Sequence, residues 1–67
     1  MIKLTLNGDE KALDKTMTLT ELIQTFGYQS NFVAVAVNFK CIPRNLWSST
    51  CVQDGDEIEV LSPQAGG

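Results

Sequence analysis

At 67 residues, the chain has room for one domain and one modest hydrophobic core. Apolar residues make up 43% of it, a globular proportion that excludes disorder. The net charge of -3 argues against nucleic acid or an anionic membrane surface as the main partner, because phosphate groups are held by a basic face.

Ile2-Lys3-Leu4-Thr5-Leu6 alternates apolar and polar residues at period two, which predicts a half-buried strand and not a signal or transit peptide. No apolar run approaches the roughly 20 residues of a membrane span, so the expected setting is soluble and cytoplasmic. Asn7-Gly8 with Asp9-Glu10 is a hairpin turn signal, and a weaker second strand through Lys11-Ala12-Leu13 is expected to return antiparallel.

The helix is the best-specified element. Thr18 is a good N-cap, and Glu21 three residues later completes a capping box. Met17 and Leu22 fall at the two positions of a hydrophobic staple. Leu19, Leu22, Ile23 and Phe26 share one apolar face, and Gly27 is placed to end the helix in a left-handed conformation. The spacing therefore predicts a helix over residues 19–26. At that length it is unstable alone and must pack on a sheet.

Val33-Ala34-Val35-Ala36-Val37 is a nearly continuous β-rich run, expected as a central strand covered at least partly on both faces. Asn38-Phe39-Lys40 turns the chain into Cys41-Ile42, and Pro43 stops that strand. Pro43-Arg44-Asn45-Leu46-Trp47 suits a short helical turn, with Leu46 and Trp47 capping the core. Asp54-Gly55-Asp56 is a tight turn. In the last strand, Glu57 to Leu61, Ile58 and Val60 point one way, and Glu57, Glu59 and Leu61 the other. The order predicts an α+β, β-grasp (ubiquitin-like) domain over residues 1–61. It has a mixed sheet of four to five strands, one helix packed on one face, and the first and last strands as the natural central pair.

Little in the chain is equipped for catalysis. Histidine is absent, so Ser-His and Cys-His machinery as usually built is excluded, and zinc or iron-sulfur sites lack ligands. Cys41 and Cys51 sit beside Ile42 and Val52 and read as buried, reduced, structural thiols, with a disulfide or a sulfur-accepting thiol as the alternative. Asp54, Asp56, Glu57 and Glu59 form the dense acidic patch. Lacking the other ligands of a calcium loop, it is either a solvated turn or a docking surface for a basic partner. No phosphate-cradling glycine loop is present, so no cofactor is expected to be bound and no metal site is assigned.

Residues 62–67 read as a flexible tail ending in Gly66-Gly67. With no Cβ, a Gly-Gly end threads a narrow slot and leaves a terminal carboxylate unhindered. The plain alternative is a frayed end.

Taken together, Ala36-Val37-Asn38, Ile42-Pro43-Arg44, Trp47, Asp54-Gly55-Asp56-Glu57-Ile58-Glu59 and Gln64-Ala65-Gly66-Gly67 resemble the ThiS sulfur carriers of thiazole biosynthesis. The resemblance spans essentially the whole chain. It implies a β-grasp carrier, not an enzyme. A ubiquitin-activating-like adenylyltransferase would activate the Gly67 carboxylate with MgATP. A cysteine desulfurase or another persulfide donor would supply sulfur. Thiazole synthase would accept it from a thiocarboxylate on Gly67. Gly66 would serve access, and Ala65 and Gln64 reach. Leu61, with Ala34 and Ala36 where they face outward, would form an apolar docking patch, with simple core packing as the alternative. Phe39 stands at a hairpin tip where a small or polar residue is expected, so it is either a partner contact or folds back on the sheet. A carrier like the small subunit of molybdopterin synthase, a ubiquitin-like modifier and a passive interaction module stay open as alternatives. The free chain is expected to be a monomer.

Overall fold

The computed structural model describes residues 1–28 and 33–61. Five strands, β1 (Ile2–Leu6), β2 (Asp9–Leu13), β3 (Ala34–Val37), β4 (Lys40–Ile42) and β5 (Glu57–Leu61), form one sheet in the order β2-β1-β5-β3-β4. A helix, α1 (Leu19–Thr25), follows the first hairpin, and a 3-10 segment, Arg44–Ser49, follows the second. β1 and β5 run parallel, and every other pairing is antiparallel, so the sheet is mixed as expected.

The first hairpin is set by its two-residue loop. Asn7 and Gly8 take φ of 53° and 87°, the left-handed pair a twisted hairpin requires. Leu6 therefore pairs with Asp9, and the second strand begins two residues before Lys11, where the sequence placed it. The helix starts as its sequence dictates: the Thr18 hydroxyl accepts from the Glu21 N–H at 3.2 Å, and the Glu21 carboxylate accepts from the Thr18 N–H at 2.9 Å. It ends one residue early, with Phe26 as the cap. Gly27, at φ 86°, lets its own N–H reach the Gln24 carbonyl and the Tyr28 N–H reach that of Ile23, a Schellman closure.

Leu4 and Leu6 from β1, Leu13 from β2, Leu19, Leu22 and Ile23 from α1, and Ile58 and Val60 from β5 meet in one buried cluster. Val33, Val35, Trp47 and Val52 complete it. Phe26 packs against its edge, where the Lys11 ammonium lies 5.6 Å from the ring centroid.

β3 is an interior strand, between β5 and β4, and β1 and β5 lie side by side, both as expected. β3 is buried on one face and half-covered at Ala34 and Ala36 on the other. Several expectations are corrected here. Leu46 is 45% exposed and does not cap the core, whereas Trp47 is 3% exposed and donates its indole N–H to the Ile42 carbonyl at 2.9 Å. The 3-10 geometry, eclipsing every third residue, stacks Arg44 over the Trp47 ring at 5.9 Å and turns Leu46 outward. Cys41 and Cys51 are free but exposed, not buried. Each gives way to an alternating neighbour: Ile42 packs against the core, and Val52 is fully buried.

Candidate functional site

Gln64, Ala65, Gly66 and Gly67 lie outside the described residues, so the site is built from the strand that leads to them. In β5, Ile58 and Val60 enter the core. The period-two strand therefore commits Glu57, Glu59 and Leu61 to the opposite, exposed face. Leu61 closes the strand at 62% exposure.

Pairing with β5 fixes what stands beside these residues. Ala34 is opposite Leu61, and Ala36 is opposite Glu59. Val35 between them is 1% exposed and faces the core, so both alanines face outward, which the sequence alone left undecided. β4 then sets exposed Cys41 against Ala36. The outcome is a low strip of small and apolar side chains from Leu61 across Ala34 and Ala36 to Cys41, bordered by two glutamates. An aliphatic tip over alanines offers a surface that a partner's backbone can approach closely without displacing large side chains.

The acidic patch divides into two pairs. Asp54 accepts from the Lys3 N–H at 2.8 Å, tying the turn before β5 to β1. Asp56 accepts from the Gln53 N–H at 2.8 Å and from the Asn38 side-chain amide at 3.1 Å. These two carboxylates build the loop. Glu57 and Glu59 stand on the exposed face and set its charge. Among the described residues, no group of three or more His, Cys, Asp or Glu is placed to hold a metal ion. No helix among them is long and apolar enough to cross a membrane.

Phe39 does not fold back on the sheet. It is 76% exposed at the tip of the β3-β4 hairpin. Val37 pairs with Lys40, so Asn38 and Phe39 are the whole loop, and both have positive φ, 52° and 68°.

Sequence reasoning missed the two asparagines. Asn7 donates its N–H to the Ile58 carbonyl at 2.9 Å, and its side-chain carbonyl accepts from the Val60 N–H at 2.8 Å. It thus extends the support of β5 past the last parallel pair, Leu6 and Ile58, toward Leu61. Its amide also donates to the Tyr28 hydroxyl at 3.1 Å. Asn38 exchanges hydrogen bonds with Glu57 at the other end of the same strand. Each lies at the first position of a two-residue hairpin loop, the signal by which both could have been found.

Comparison with known proteins places this geometry. The ThiS family model matches residues 4–67. A thiazole synthase of Paramagnetospirillum magneticum is 33% identical over 66 residues, covering 98% of this chain, and the chain spans only 20% of the length of that protein. The sulfur carrier protein ThiS of Escherichia coli is 36% identical over 50 residues, 75% of this chain and 76% of that one. The crystal structure of the thiamine biosynthesis protein ThiS from Geobacter metallireducens superposes with a TM-score of 0.84 at 31% identity, covering 91% of this chain and 93% of that one.

Proposed function

The chain belongs to the ThiS family, and on that premise we propose that it is a sulfur carrier of thiamin biosynthesis that works as a co-substrate and not as an enzyme. The observation that carries this reading is that the family match runs through residue 67 and so takes in Gly66 and Gly67. The exposed strip at the end of β5 supports it, because a partner seated there lies next to the chain that leads to the reacting group.

The chemistry follows from the carboxylate. A carboxylate is a poor electrophile, so an adenylyltransferase first joins the Gly67 oxygen to the α-phosphate of MgATP and releases pyrophosphate. A persulfide sulfur from a cysteine desulfurase then attacks the acyl carbon and AMP leaves, giving an acyl disulfide joined to the donor. A second thiol attacks the donor-side sulfur, breaks the S–S bond and ends as a disulfide with the donor, which frees the sulfur on Gly67. The resulting thiocarboxylate is ionised and nucleophilic at neutral pH. Thiazole synthase takes its sulfur. The carrier contributes no other reacting group; its folded body supplies recognition. A related sequence within a thiazole synthase chain supports that enzyme as acceptor.

Intact-mass measurement tests the proposal. Incubated with MgATP, the activating enzyme and a persulfide donor, the chain is expected to gain the mass difference between sulfur and oxygen, localised to Gly67. No shift with partners proven competent on another carrier overturns it. Isopeptide conjugates to other proteins, without a thiocarboxylate, would identify a modifier instead.

A further inference from the structure

Phe39 breaks two local rules at once. A bulky residue at φ 68° is uncommon, because its Cβ crowds the backbone where glycine or asparagine fits easily. It also presents an aromatic ring to water at 76% exposure. Neither feature helps the fold, since Phe39 is absent from the core and from the residues packed against it.

The loop nevertheless holds this arrangement firmly. The Asn38 N–H donates to the Glu57 carbonyl at 2.7 Å, and its side-chain carbonyl accepts from the Glu57 N–H at 3.0 Å. Its amide donates to Asp56 at 3.1 Å. An unfavourable backbone state that its surroundings over-determine points to a use outside the fold.

We propose that Phe39 is a docking anchor for thiazole synthase, seated in an apolar recess of that enzyme. The proposal rests on the carrier reading above. Chain length decides the occupant's position. Six residues follow Leu61, and fully extended they reach roughly 20 Å. An enzyme acting on Gly67 must therefore stand close to the Leu61 end of β5. A standard interface covers about 800 Å² on each partner, on the order of 30 Å across. From Leu61 to the Ile58–Val37 pair is three residues of strand, about 10 Å, and Phe39 lies one tight turn beyond. The same partner surface thus extends to it. Glu57 and Glu59 lie between the two ends, so the recess is expected to be rimmed by arginine or lysine. The Asn38 bonds fix the loop backbone, and a phenyl ring has only two side-chain torsions to lose on binding, which suits such an anchor.

The test is calorimetric binding of the full chain to purified thiazole synthase, with the melting temperature measured in parallel. Phe39→Asn suits the left-handed backbone and is expected to melt no lower than wild type, yet to bind at least about tenfold more weakly. Phe39→Leu, which keeps apolar bulk, is expected to retain more affinity than Phe39→Asn. A folded Phe39→Asn that binds within threefold of wild type overturns the anchor. If that variant still gains sulfur at Gly67, the carrier reading survives the loss. Failure of wild type itself to gain sulfur overturns the carrier reading instead.

Discussion

Asn38 combines a backbone role with a side-chain role, and substitution can separate them. Its left-handed φ of 52° costs an alanine about 1 kcal/mol, while its carbonyl and amide each make a hydrogen bond, to Glu57 and Asp56. Such bonds contribute about 1 kcal/mol apiece. Asn38→Ala is expected to lose both contributions, about 3 kcal/mol together, lowering the melting temperature by roughly 12–24 °C in a domain of this size. Asn38→Gly loses only the bonds, since glycine accepts the backbone angle. Thermal denaturation of the pair checks this: equal melting temperatures would show that the left-handed backbone contributes nothing. The same residue fixes the tip on which Phe39 stands, so its loss should also weaken partner binding.

At the scale of elements, helix α1 begins where two reciprocal bonds between Thr18 and Glu21 satisfy its free N–H groups. With seven residues it has little stability of its own. Thr18→Ala is expected to cost about 1 kcal/mol, read as a fall of roughly 4–8 °C in melting temperature; an unchanged value would mean that the buried face alone fixes the helix start. This cap was legible in the sequence because every participant lies within four residues. So was the Asn7-Gly8 hairpin, and for the same reason. The second hairpin was only half legible. A turn at Asn38-Phe39 was expected, but Phe39 opposes the left-handed geometry that long-range bonds from Asn38 to β5 impose. The outward facing of Ala34 and Ala36 was undecidable from an unbroken apolar run, because nothing polar within it marks a face. Its register against β5, whose Glu-Ile-Glu-Val alternation is unambiguous, supplies the answer. Cys41 and Cys51 were misplaced because an apolar neighbour in a strand occupies the opposite face, not the same one.

Across the whole molecule, the described core and the proposed chemistry fall on different stretches of chain. Every buried core residue among those described lies between Leu4 and Val60, and β5 ends at Leu61. We therefore expect the body to fold without the terminal glycine, whereas the proposed reaction needs its carboxylate at one fixed distance along the tail. Deleting Gly67 moves the carboxylate back by one residue, about 3.5 Å. Placement errors near 1 Å already cost catalysis on the order of a hundredfold. The truncated chain is expected to melt within about 1 °C of the full one, far less than the 4–8 °C that a 1 kcal/mol loss produces. In the same samples, sulfur incorporation into the thiazole product should fall below detection. Sulfur delivery by the truncated chain at the full-length rate would remove Gly67 from the chemistry. A large drop in melting temperature would show instead that the tail is part of the fold.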